Sequence, residues 1–168
     1  MIVFDASTLI LLAKIGLLRN LVTRVEVGIP PPIKEECIKG KTTDAKLIDR
    51  LIQEEKMQVL EVDSKESKEA ERLKEEFSIG EEAYALVLAR NEDSLFATDD
   101  KAAINACKVF GVEFTTAIDF LIRAYERGDL ERELAETKLK RLEKYGRYST
   151  SIINYANGKL GGEDDEDN

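Results

Sequence analysis

The chain contains no histidine in its 168 residues. That removes the commonest general base, so hydrolysis by a serine or cysteine activated through an imidazole is excluded. Tryptophan is also absent, and the only three prolines form one run, Pro30-Pro31-Pro32. Two cysteines, Cys37 and Cys107, lie far apart with no metal-ligand spacing. They read as buried, reduced thiols rather than as a disulfide framework or a thiolate metal site. No apolar run approaches the roughly 20 residues of a membrane helix. The opening MIVFD has no basic region and no cleavage site, so no signal peptide and a cytoplasmic location are expected. Positive charge is in deficit as well. The net charge is −9, and five of the negative charges come from the acids at 163–167. No basic stripe exists that would hold nucleic acid tightly and without selectivity.

What the chain has in quantity is carboxylate, with 34 Asp and Glu against 25 Lys and Arg. Hydrophobic residues make up 43%, enough for a sizeable core at this length. One domain over 1–160 is expected, with C-terminal helices over 116–158. The stretch 161–168, GGEDDEDN, is low in complexity and acidic, and is expected to be a disordered tail.

Hydrophobic patterning predicts strands alternating with helices. Strands are expected at 2–5, 25–29, 57–62, 95–98 and 112–114. Helices are expected at 8–13, 17–22, 33–38, 64–77, 78–91 and 101–110, with three more at about 116–127, 130–145 and 149–157. Thr43 or Asp44 is placed to cap a further helix running to about residue 55. Prolines suit the start of the helix at 33, where a missing N–H goes unnoticed, and Gly111 suits the stop of the helix at 101–110. This alternation gives an α/β fold with a mostly parallel sheet covered on both faces. The apolar segments Leu9–Leu12 and Leu17–Val22 suit either the core or an interface between two copies.

Four acidic clusters fall where strand or loop turns into helix: Asp5, Glu36, Glu81-Glu82 and Asp99-Asp100. Ligands of parallel sheets bind outside the carboxyl ends of the strands, and Asp5 and Asp99-Asp100 both fall there. An acid at such a junction also has an ordinary role as a helix cap. In Ser78-Ile79-Gly80-Glu81, Ser78 and Glu81 fit a capping box, which leaves Glu82 as the ligand. The Gly-Glu step at a buried helix start equally puts Glu81 at that place, so both stay candidates. Asp99 and Asp100 repel each other unless a cation or a donor compensates. The hydroxyls of Ser7, Thr8 and Thr98 are placed to support the acids, and Asn105 lies one to two helical turns beyond Asp100. A site of carboxylates alone suits hard divalent cations such as Mg²⁺ and Mn²⁺, and paired ions of that kind drive phosphodiester hydrolysis. The residues thus point to a metal-dependent nuclease. An aspartyl phosphotransferase is disfavoured, since no DxDx run follows any of the expected strands and no glycine-rich phosphate loop occurs.

In this order and spacing, MIVFDASTLI, PPIKEEC, GEEAYALVLA and ATDDKAAINACKVFGV resemble a PIN domain. The stretch from FLIRAYERGDL to NYANGKL resembles one branch of that family, so the resemblance covers about 1–160. It implies a three-layer α/β/α fold and an Mg²⁺- or Mn²⁺-dependent endoribonuclease. Products with 5′-phosphate and 3′-hydroxyl ends are expected. The family's acids correspond to Asp5, Glu36, Glu81 or Glu82, and Asp99 or Asp100. The branch it resembles most is that of the VapC-like toxins of archaeal type, which implies an RNA substrate, a small antitoxin partner and a homodimer. TDDKAAIN also resembles the rRNA-processing branch, through Asn105. A catalytically silent binding module on the same fold is the remaining alternative. The chain departs from the pattern after GEE, where the apolar register is shifted by one. It departs again at Lys101-Ala102, where the family often carries arginine. Lys14, Lys34, Arg90 and Lys101 are the candidate phosphate contacts.

Overall fold

The computed structural model describes residues 1–162. The chain divides into two compact units, Met1–Thr116 and Ala117–Asn168.

The first unit is built on five short strands: β1 (Ile2–Phe4), β2 (Val27–Ile29), β3 (Gln58–Val59), β4 (Leu95–Ala97) and β5 (Phe114–Thr115). They form one sheet in the order β3-β2-β1-β4-β5, and every pairing is parallel. Parallel neighbours need long crossovers, and helices supply them. These are α1 (Ala6–Lys14), α2 (Leu18–Leu21), α3 (Pro31–Ile38), α4 (Thr43–Gln53), α5 (Ser64–Phe77), α6 (Glu82–Asn91) and α7 (Lys101–Phe110). One group of helices packs together as α1, α3 and α4, and another as α5, α6 and α7. The result is the expected α/β architecture, a parallel sheet flanked by helices.

The centre of the sheet is fully apolar. Val3, Phe4, Ile29, Phe96 and Ala97 are completely enclosed, as strands covered on both faces must be. Helix α6 lies against β1 and β4. Its Ala83, Ala85, Leu86, Val87, Leu88 and Ala89 are all buried, so it is apolar all round, as a buried helix requires. Leu9, Leu11 and Leu12 of α1, and Leu17, Leu18 and Leu21, are likewise buried. Both apolar segments that suited either core or interface are therefore core.

The second unit holds α8 (Ala117–Glu126), α9 (Arg132–Tyr145) and α10 (Thr150–Asn157), closed by a helical turn at Gly158–Gly162. Gly161 breaks that turn with φ 91°. Gly161 and Gly162 thus belong to an ordered turn and not to the tail expected from 161. The rest of that tail, 163–168, lies outside the described residues.

Most boundaries fall within two residues of expectation, and the differences are local. Thr42 caps α4 through the Ala45 amide, in place of Thr43 or Asp44. The expected strand 57–62 shrinks to two exposed residues at the sheet edge. The largest change concerns 78–81. Ser78 does not cap α6; it terminates α5 in the left-handed region, at φ 53°. A real capping box sits at the other end of α5, between Asp63 and Glu66. Gly111 stops α7 as expected, at φ 67°, a conformation glycine adopts without a Cβ penalty.

Candidate functional site

The strand order reverses direction between β1 and β4, so the two chains leaving their carboxyl ends diverge and open a crevice there. Asp5 follows β1 and Asp99 and Asp100 follow β4, with Thr98 between. The Asp5 amide donates to the Ala97 carbonyl at 3.0 Å, extending the ladder by one rung before the chains part.

Asp5 is 2% exposed. It caps α1 by accepting from the Thr8 amide at 2.8 Å. It also accepts from the Thr98 hydroxyl at 2.5 Å and from the Ser7 hydroxyl at 3.2 Å. All of these donors are neutral. A buried carboxylate without a cation is costly. Desolvation accordingly pushes the Asp5 carboxyl up to about 7, with the charge of Asp99 adding to the effect and the donors opposing it.

Asp99 and Asp100 have separate roles. Asp99 is half-buried and accepts from the Thr8 hydroxyl at 2.7 Å, across 91 residues of sequence. Thr8 therefore ties the two acids together, its amide on Asp5 and its hydroxyl on Asp99. Asp100 turns the other way and caps α7 through the Ala103 amide at 2.8 Å. Its own amide donates to the Thr98 hydroxyl at 3.2 Å.

The glutamates form a second group. Glu36 on α3 lines a cleft with Pro32, Lys39, Gly80, Glu81 and Glu82. Partial burial pushes its carboxyl up, and the charges of Glu82 and then Glu81 push it further, against Lys39. Glu81 is the first residue before α6 and makes no capping hydrogen bond. The capping box expected of Ser78 and Glu81 does not form, because Ser78 belongs to the preceding turn. Glu81 instead pairs with Lys74 at 2.8 Å. Glu82 has no ion-pair partner among the described residues.

Cys37 lies between the two groups. Burial holds its thiol up at about 12, and the negative charges of Glu36 and Asp5 both act on it. Both cysteines are buried and unpaired, as expected. Asp5 and Asp99 therefore meet at the carboxyl ends of β1 and β4, and Glu36, Glu81 and Glu82 line a cleft of their own. Among the described residues, no three acids stand close enough together to enclose a metal ion as they are. The donor chemistry nevertheless fits a hard divalent cation. Every donor is an oxygen, and the most buried acid is held by neutral groups alone.

Other expected residues stand apart. Asn105 is exposed on α7 and makes no hydrogen bond to the acids among the described residues. Arg90 is committed elsewhere, to Glu69 at 2.5 Å and to the face of Phe110. It lines a recess with Ser94 and Leu95, where β4 begins, so it is removed from the carboxyl edge as a phosphate contact. Lys101 is exposed at the first turn of α7. Sequence reasoning missed Lys74. Helix α5 carries several lysines, and only the fold shows which one reaches Glu81.

No curated protein matches the chain. Among solved structures, it is similar to VapBC2 from Rickettsia felis bound to a DNA fragment from its promoter. The identity is 14% and the TM-score 0.47, over 69% of this chain and 98% of the other. No helix among the described residues is long and apolar enough to cross a membrane. A family model described as a PIN domain, DUF3368, matches residues 1–158. That match takes in every acid described above, and the chain belongs to the PIN-domain family.

Proposed function

We propose that this chain is a metal-dependent endoribonuclease, with Asp5 and Asp99 as the central pair and Glu36 and Glu82 completing the site. The observation that carries this reading is Asp5: a carboxylate buried at the switch point of a parallel sheet, beside a second acid, whose hydrogen-bond donors among the described residues are all neutral. Such an arrangement is unfavourable on its own and becomes favourable when a divalent ion is bound.

The cofactor is Mg²⁺ or Mn²⁺. When bound, it supplies an activated water and neutralises charge on the phosphate. The chain's own groups do the rest. Thr98, Thr8 and Ser7 fix the Asp5 carboxylate from three sides, so its orientation does not change during the reaction. The Thr8 hydroxyl holds Asp99 in register with it. Glu36 and Glu82 line the neighbouring cleft and complete the ligand set or position the water. Asp100 keeps α7 in place and acts on the site only through the backbone that carries Asp99.

RNA is the substrate. The toxin branch of archaeal type, with a small antitoxin partner and a homodimer, is the reading that the sequence motifs favour, and a cytoplasmic location goes with it. The rRNA-processing branch is the alternative, supported by the TDDKAAIN motif alone. The match of one family across 1–158 supports a single functional domain, although the chain forms two compact units.

The test is cleavage of a mixed RNA pool by wild type and Asp5→Asn, with Mg²⁺ or Mn²⁺ and with EDTA. Metal-dependent cleavage that falls by about 100-fold or more in the variant is expected, the scale of losing one well-placed electrostatic group. Equal cleavage by both proteins would refute the site. No cleavage with either metal would favour a silent PIN-fold binding module.

A further inference from the structure

Glu81 and Glu82 are adjacent in sequence, yet the fold treats them differently. The Lys74 ammonium lies 2.8 Å from Glu81. Lys74 stands in the last turn of α5, before the left-handed reversal at Ser78, so it reaches forward to the first residue before α6. Its position is well fixed. It also contacts Glu71 at 3.4 Å, and Glu71 accepts from the Tyr84 hydroxyl at 2.7 Å. The Tyr84 ring faces the ammonium at 5.9 Å. Two helices thus brace one lysine. Glu82 is handled in the opposite way. Its carboxylate folds back over Gly80, where a Cβ would lie 2.9 Å from Glu82 Oε2. A glycine at that position leaves the space the carboxylate occupies.

We propose that Lys74 is a positioning residue of the carboxylate site: it draws Glu81 out of contention, so that Glu82 is the glutamate that faces Glu36. Two neighbouring carboxylates beside a third compete for one ion, and the wrong one brings it to the wrong place. A fixed cation on one of them removes the choice. The inference rests on the metal-site reading above and adds which glutamate is free to act and what keeps it so.

Mn²⁺ binding to the full chain, measured by titration calorimetry, tests this without relying on activity. Glu82→Gln should weaken binding about tenfold or more, as loss of a ligand does. Adding Lys74→Met to that variant should recover roughly threefold or more, because Glu81, released from its cation, takes the vacant place. Adding Glu81→Gln as well should abolish the recovery. Lys74→Gln in place of Lys74→Met should give the same pattern without a new apolar side chain. Circular dichroism on each variant establishes that it is folded. A double variant that binds no better than Glu82→Gln, or a triple variant that keeps the gain, overturns the role of Lys74 alone. Wild type binding no better than Glu82→Gln and Asp5→Asn overturns the site reading, and this inference with it.

Discussion

At the scale of the residue, Asp5 combines two roles that pull apart. It caps α1 and anchors Thr98, which stabilises the fold, and it holds a buried charge, which does not. The balance depends on pH. In the metal-free protein its carboxyl titrates near 7, against 3.8 ordinarily. Below about pH 4 both the folded and unfolded chains are protonated at this position, and it has no effect. Between pH 4 and 7 the unfolded chain releases its proton first, so the unfolded state is favoured progressively. Above pH 7 the loss is complete, on the order of 4 kcal/mol. Asp5→Asn keeps the capping oxygen and lacks the charge. Its melting temperature should exceed that of wild type at pH 8 without metal, with the gap closing as the pH falls toward 4. Saturating Mg²⁺ should raise the wild type and leave the variant unchanged. A constant gap across this range would show that the charge of Asp5 is compensated in some other way.

At the scale of the element, the proposed site divides function and architecture between Asp99 and Asp100. Asp100 caps α7 and Asp99 does not. Asp100→Ala should therefore cost about 1 kcal/mol of stability, the usual value of an N-cap, and should reduce cleavage only modestly. Asp99→Ala should leave stability nearly unchanged and reduce cleavage strongly. Urea denaturation and RNA cleavage on the two variants check this, and the reverse pattern would exchange their roles. The sequence made this pair conspicuous, because two acids directly after a buried strand stand out. It left open which acid caps α7 and which meets Thr8, since that depends on a threonine 91 positions away. The helices were legible from their periodicity and their stops. The α5–α6 junction was not. Ser78 and Glu81 have the spacing of a capping box, but the turn adopts the left-handed conformation at Ser78 instead. Local propensity was overridden there by the packing of two helices that are close partners. The edge strand β3 was overestimated for a related reason. A run of alternating residues reads as a strand over its full length, although regular pairing covers only Gln58 and Val59, with one further bond from the Leu60 amide to the Ile29 carbonyl.

At the scale of the whole molecule, the charge distribution bears on the proposed RNA substrate. Arg90 is tied to Glu69 and Lys74 to Glu81, and the chain carries a net charge of −9. Acids outnumber Lys and Arg by 34 to 25, which disfavours wide contact with a polyanion. RNA affinity, measured by fluorescence anisotropy with Ca²⁺ present, should vary with salt only weakly, with a log–log slope shallower than about −3. A steep slope would reveal a basic surface formed in an assembly of several chains. The architecture also sets when the protein acquires its chemistry. The central strands β1 and β4 begin 93 residues apart, and the Thr98 hydroxyl that steadies Asp5 lies equally far along the chain. Asp5 gains its partners only when residues this far apart along the chain come together in the sheet. A polypeptide without the segment that carries β4 therefore lacks the neighbours of Asp5, and whatever chemistry this edge performs waits on the long-range pairing of the sheet.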